Sequence, residues 1–172
     1  MMKLNHVWVC LLLGVLAGCE MGADQAPAPQ VSAPPAPAEP ARPTVVQGMM
    51  RFGEDFQQAL AEAQRDGKPL LVFFTAEWCH YCHQMAGEAF VNPQVVDLSQ
   101  RFVCVLIDAD AQAEVCRQFR VSAYPTVQFV SPQGMLLNRM EGKRPSNQVM
   151  MAMQTALQAS AERTPPRTSS LR

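Results

Sequence analysis

Phe52, Phe56, Leu60 and Ala63 recur at helical spacing, and Asp66-Gly67 closes the pattern, which predicts a first helix. Leu70 to Thr75 (LLVFFT) is a continuous apolar run with aromatics, as expected of a strand buried on both faces. From Cys79 onward the pattern turns helical. Asn92-Pro93 opens a further short helix, with Asn as its cap and Pro in its first turn. Phe102 to Ile107 (FVCVLI) predicts a second buried strand, Ala111 to Phe119 a helix, and Thr126 to Val130 a third strand. Ser131 to Gly134 reads as a turn, followed by a fourth strand over Met135 to Met140. Ser146 to Ser160 closes the domain as a helix, with Val149, Met150, Met153 and Leu157 on one face. The order α-β-α-β-α-β-β-α over residues 45–161 predicts an α/β domain. It should have a central mixed sheet of about four strands flanked by helices, mainly parallel with an antiparallel edge hairpin.

The ends of the chain follow other rules. Val7 to Leu16 is a ten-residue apolar run behind Lys3. It falls short of the roughly 18 residues of a membrane-spanning helix and has the length of a signal-peptide core. Leu16-Ala17-Gly18-Cys19 resembles the lipobox of bacterial lipoproteins. That resemblance implies cleavage after residue 18, acylation at Cys19, and a chain held at the cell envelope facing the periplasm. Glu20, in place of the Asp that retains many such proteins in the inner membrane, favours the outer membrane. The competing readings are an ordinary secretory signal with a chance Cys, or a short buried helix. Residues 26–43 contain seven prolines and six alanines, so no helix interior or central strand can form there. Residues 19–44 are therefore expected to be a Pro/Ala-rich tether. The 18 residues from 26 to 43 would span roughly 55 Å as polyproline II. Residues 162–172, with Pro165-Pro166, read as a disordered tail. The net charge is −1, from 14 Lys+Arg and 15 Asp+Glu. A nucleic-acid binder that neutralises phosphates would be more basic, so no nucleic-acid partner is expected.

Of the six cysteines, Cys79 and Cys82 carry the chemistry. They stand at a strand-to-helix junction, in Trp78-Cys79-His80-Tyr81-Cys82-His83. A thiol at a helix N-terminus faces unpaired N–H groups and the positive end of the helix dipole, both of which favour the thiolate. A second thiol three residues on lies one turn along the same side, within disulfide reach. The first can attack a substrate disulfide and the second can resolve the mixed disulfide.

Ala76-Glu77-Trp78-Cys79-x-x-Cys82 after LLVFFT, with Tyr124-Pro125-Thr126 before the third strand, resembles the thioredoxin superfamily. The resemblance covers roughly two thirds of the chain. With its N-terminal FxxAxxxA helix and Lys68-Pro69 before the strand, the chain looks like the thioredoxin-like group of exported bacterial proteins, and it also resembles the C-terminal domain of the periplasmic membrane disulfide reductase. The resemblance implies a thioredoxin-like fold and a thiol:disulfide oxidoreductase of the cell envelope, acting on protein thiols or disulfides with a protein redox partner. No cofactor is implied beyond the redox-active Cys79–Cys82 disulfide. By the same resemblance Pro125 is cis, the Tyr124 backbone pairs with bound substrate, and Trp78 belongs to the substrate groove. The motif is shared by reductases, oxidases and isomerases, so the direction of transfer stays open.

The sequence departs from thioredoxin in places. Phe73 stands where thioredoxin has a buried Asp, and Cys104 where its Lys partner is expected. Losing both together leaves no unpaired charge in an apolar core. Cys82 then needs another proton acceptor, and Glu77 is a candidate, unless it is simply solvated. His80, beside Tyr81 in the intervening dipeptide, is expected to stabilise the Cys79 thiolate when protonated. Cys104 and Cys116 read as small buried hydrophobes, with a second disulfide between them as the alternative. Two other chemistries fit part of the motif. Cys79 to His83 is literally CxxCH, the haem c attachment pattern, with Met85 or another Met as axial ligand. A metal site from Cys79, Cys82, His80 or His83 is also conceivable, although no second ligand pair follows downstream.

Overall fold

In the computed structural model, residues 44–163 are described. The signal segment, Cys19, the tether up to residue 43 and the tail from residue 164 lie outside them. The chain runs β1 (Thr44–Gln47), β2 (Met50–Gly53), α1 (Phe56–Asp66), β3 (Leu70–Thr75), α2 (His80–Glu88), α3 (Pro93–Ser99), β4 (Val103–Asp108), α4 (Ala113–Gln118), β5 (Thr126–Val130), β6 (Leu136–Glu141) and α5 (Ser146–Arg163).

All six residues of β3 are buried. The strand lies inside a single mixed sheet of order β1-β2-β4-β3-β5-β6. β3 and β2 run parallel to β4, while β5, β6 and β1 pair antiparallel with their neighbours. Its alternating side chains feed two cores. Leu71 and Phe73, with Cys104 and Leu106 of β4, pack against Met85 of α2, Val95 of α3 and Val149 and Met153 of α5. Leu70, Val72 and Phe74 pack on the other face with Phe56, Ala59 and Ala63 of α1 and Cys116 of α4.

The sheet has six strands rather than about four. The two extra ones are the hairpin β1–β2. Phe52, assigned to the first helix by its spacing from Phe56, belongs to β2, where Met50 and Phe52 point inward and Arg51 outward. The helix cannot reach back to it. The Asp55 side chain accepts from the Gln58 backbone N–H at 2.9 Å, which caps α1 with Phe56 as its first residue. Phe52 instead completes an aromatic cluster, 5.9 Å from Phe73 and 5.7 Å from Phe90, while Phe73 meets Phe90 edge-on at 5.0 Å. Burial of one such ring contributes about 2–3 kcal/mol. The hairpin turn needs Gly48. Its φ is 60°, and a Cβ there would lie 2.3 Å from the Ala86 carbonyl oxygen. Met49 N–H donates to Phe90 O at 3.0 Å, so the turn is docked on the end of α2.

The two ends of the domain also differ, and β4, α4 and β6 are each shifted by one or two residues. Thr44 is already in β1, and α5 continues through Glu162 and Arg163. Among the described residues no helix is long and apolar enough to cross a membrane.

Candidate active site

β3 delivers the chain to the C-terminal edge of the sheet at Thr75, and the turn Ala76–Trp78 leads straight into α2. Cys79 is the N-cap of that helix, in extended conformation at φ −81° and ψ 93°. Its Sγ accepts from the Cys82 backbone N–H at 3.2 Å. Sulfur therefore occupies the place that Ser or Asp oxygen takes in an ordinary cap, where helix N–H groups converge on it. The two cysteines form a disulfide with Cα atoms 5.3 Å apart. Cys79 keeps 5% of its surface exposed and Cys82 1%. The order of access is the one the exchange chemistry needs, outer sulfur first.

Around the pair stand three aromatic side chains. Trp78 is 68% exposed and Tyr81 60%, unusual for rings of this size. Trp78 Nε1 donates to Asp110 Oδ1 at 3.2 Å, and the indole meets the Tyr124 ring edge-on at 5.9 Å. Asp110 is itself held by its backbone N–H, which donates to Asp108 Oδ1 at 2.8 Å. The Tyr124–Pro125 peptide is cis. Thr126, which follows, pairs with Phe74 of β3, so this loop and the cysteine turn share one end of the sheet. Gly142 N–H donates to Pro125 O at 2.7 Å from the loop after β6. Burial, a hydrogen bond with the Cys116 thiol and the Asp110 carboxylate push the Tyr124 phenol up to about 12. Tyr124 therefore stays protonated across the working range.

Phe73 and Cys104 occupy the same face of the sheet, two residues apart in register, since Phe73 pairs with Leu106 and Leu71 with Cys104. Both lie in the apolar cluster that contains Cys82. Glu77 and His83 line a cleft of about 290 Å³ together with Glu54, Thr75, Leu106 and Asp108. The cleft brings polar groups beside the cysteine turn, and Phe73 is not among its lining residues. Glu77 is thus placed among polar neighbours beside the motif.

Cys104 and Cys116 are buried thiols on opposite faces of the sheet, so the second disulfide does not form. Cys104 Sγ donates to Ser99 O at 3.8 Å. The two motif sulfurs are bonded to each other, and Met85, the suggested axial ligand, is packed in the core. Among the described residues no three His, Cys, Asp or Glu side chains are grouped to hold a metal ion.

Sequence reasoning missed Asp110, Gln84, Lys143 and Gly142. Asp110 had a signal, the Asp108-x-Asp110 run at the end of a strand. The other three come from elements far from the motif or carry no motif of their own.

The thioredoxin-like family profile matches residues 50–132. Over 80 residues the chain is 34% identical to a thioredoxin H-type protein of Populus jackii, covering 45% of this chain and 53% of that one. The chain spans about half the length of the curated thioredoxins it matches. The solution structure of a thioredoxin from Thermus thermophilus is 30% identical, with TM-score 0.56, over 60% of this chain and 85% of that one. The oxidised C-terminal domain of Neisseria meningitidis DsbD is 21% identical and shares the fold, with TM-score 0.53 over 61% of this chain and 98% of that domain. The profile spans both β3 and β5, the two strands that present the cysteine turn and the cis-proline, and the chain belongs to the thioredoxin-like family.

Proposed function

We propose that the protein is a thiol:disulfide oxidoreductase that exchanges disulfides with protein partners. The observation that carries this is the Cys79–Cys82 disulfide at the N-terminus of α2, with its outer sulfur at a rim of exposed aromatic rings. In the reducing direction the Cys79 thiolate attacks one sulfur of a substrate disulfide. That bond breaks, and the departing thiolate takes a proton from solvent. Cys82, once deprotonated, attacks Cys79 Sγ, expels the second substrate thiol and closes the Cys79–Cys82 disulfide. Two electrons and two protons pass to the substrate. Oxidation is the same sequence reversed, and the partner's potential decides between them. The helix dipole and the Cys82 N–H stabilise the Cys79 thiolate. Trp78 and Tyr81 offer apolar area to a partner, as aromatic rings do at protein interfaces. The Tyr124-Pro125 backbone borders the groove, and polar groups of the cleft at Glu77 provide a route for the Cys82 proton.

The family's exported members and the Leu16–Cys19 tetrapeptide support a mature chain anchored by lipid at Cys19, facing the periplasm, with Glu20 favouring the outer membrane. A Cys19→Ala variant should leave the membrane fraction. Its retention there would refute the anchor.

The exchange itself is tested with Cys82→Ala in cells. Mixed disulfides through Cys79 should accumulate on non-reducing gels and vanish when Cys79 is also replaced. An absence of trapped species under oxidising and reducing conditions alike would overturn the assignment.

A further inference from the structure

His80 lies between the two cysteines, and its ring is exposed but has a partner on α2. Gln84, one turn along α2, approaches it with Nε2 2.8 Å from His80 Nε2. The other end of the same amide, Oε1, accepts from Lys143 Nζ at 3.0 Å. Lys143 also pairs with Glu88 Oε1 at 2.7 Å, another turn along the helix. The Lys143 ammonium can only donate, so the amide oxygen must face it. The amide NH₂ then faces the imidazole and must donate, which leaves His80 Nε2 as acceptor and the ring proton on Nδ1. An imidazolium has no lone pair at Nε2 and cannot keep this bond. Flipping the amide to suit it would set NH₂ against the Lys143 ammonium.

We propose that Gln84 is a positioning residue that locks His80 in the Nδ1–H tautomer, with its orientation dictated by Lys143 and Glu88. The lock withholds from Cys79 the positive charge that a protonated His80 would supply, so the amide sets the redox poise of the pair. Lys143 follows Gly142, whose N–H holds Pro125, so one loop supports both the cis-proline and the histidine. The charged groups facing this assembly are Lys143 and Glu88, and the Tyr81 ring lies 5.9 Å from that of His80.

The redox consequence rests on the oxidoreductase reading, whereas the tautomer does not. Histidine ring ¹⁵N NMR of the oxidised protein at pH 8 therefore tests the lock independently of activity. Wild type should show His80 as Nδ1–H. Gln84→Met, and independently Lys143→Met, should move it towards the Nε2–H form usual for free imidazole. An Nε2–H ring in wild type, or an Nδ1–H ring unchanged in both variants, overturns the proposal. Gln84→Glu provides the second arm, since a carboxylate accepts from both Lys143 and the ring and favours imidazolium. The equilibrium with glutathione should shift towards the reduced enzyme by about tenfold, one unit of thiolate stabilisation. That shift should disappear in a His80→Phe background. A shift that persists there, or one below about twofold, refutes the redox role.

Discussion

Phe73 marks the place where this chain departs furthest from the thioredoxin pattern, and Phe73→Asp puts the departure to the test. The side chain is fully buried, with the Phe52 and Phe90 rings against it at 5.9 and 5.0 Å. Losing the ring alone, as in Phe73→Ala, should cost about 3–5 kcal/mol. An aspartic acid in the same space adds an unsatisfied hydroxyl when neutral, about 1–3 kcal/mol. When ionised it costs more, about 1.4 kcal/mol for every unit by which burial raises its pKa, and a rise of three units gives about 4 kcal/mol. Because the folded-state pKa would lie above the unfolded value near 3.9, the neutral form's advantage is fully present below about pH 4. It is lost as pH rises through the folded pKa. Against a total stability of about 5–15 kcal/mol, Phe73→Asp should fold at pH 4 and be largely unfolded at pH 8. Urea denaturation of Phe73→Asp and Phe73→Ala at both pH values isolates the carboxyl's contribution. The gap between the variants should widen by about 3–4 kcal/mol from pH 4 to pH 8. A gap that stays constant or narrows would refute the view that this position is dry and apolar. Adding Cys104→Lys on the neighbouring strand should recover part of the loss at pH 8, because it restores a partner for the carboxylate.

Other consequences can be checked with single variants. Gly48→Ala forces a left-handed φ on alanine and a backbone collision at Ala86 O, and it threatens the Met49–Phe90 hydrogen bond. It should destabilise the fold by about 2–4 kcal/mol in chemical denaturation, and a loss under 1 kcal/mol would contradict the docking of the turn on α2. In a Tyr81→Phe background Tyr124 is the remaining tyrosine, and its absorbance should titrate near pH 12. Cys116→Val should bring that midpoint down, because the thiol hydrogen bond favours the neutral phenol. An unchanged midpoint would mean that burial and the Asp110 carboxylate hold it without the thiol. Trp78→Ala should change stability by less than about 1 kcal/mol, because the ring is mostly exposed, while slowing disulfide exchange with protein substrates more than with glutathione. Equal slowing of both would rule out a role for the indole in protein recognition.

Local signals explain what was legible in the sequence. The β3 run, the helix entry at Cys79, the Asn92-Pro93 start of α3 and the Tyr-Pro-Thr strand entry are each written within a few residues, and each was found where expected. The β1–β2 hairpin was not, because Phe52 and Phe56 stand four apart and imitate one face of a helix. The Asp55 cap that separates them is a stronger local signal than the spacing it interrupts. Thr44 directly follows Pro43, and no local signal separates it from the Pro/Ala-rich segment. Its pairing with Gly53 depends on a turn whose glycine is explained only by the nearness of α2. Gln84 and Lys143 stand 59 residues apart, and no periodicity announces that an amide on α2 will meet an ammonium from the loop after β6. The separation of Cys104 from Cys116 follows from parity along β4. Cys104 shares a face with Leu106, while Val103, Val105 and Ile107 face α1 and α4.

That separation gives the sheet a further role as an insulator. Thiol–disulfide exchange propagates by collinear approach of three sulfurs, and a wall of paired backbone with packed side chains on both sides blocks any such line between Cys104 and Cys116. Among the described residues, the disulfide sits in the motif at the sheet's edge, and Cys104 and Cys116 stay as separate thiols. Each complete exchange at the motif moves two electrons and two protons. Among the described residues, the sheet thus keeps Cys116 apart from Cys104 and from the motif, which share the other face.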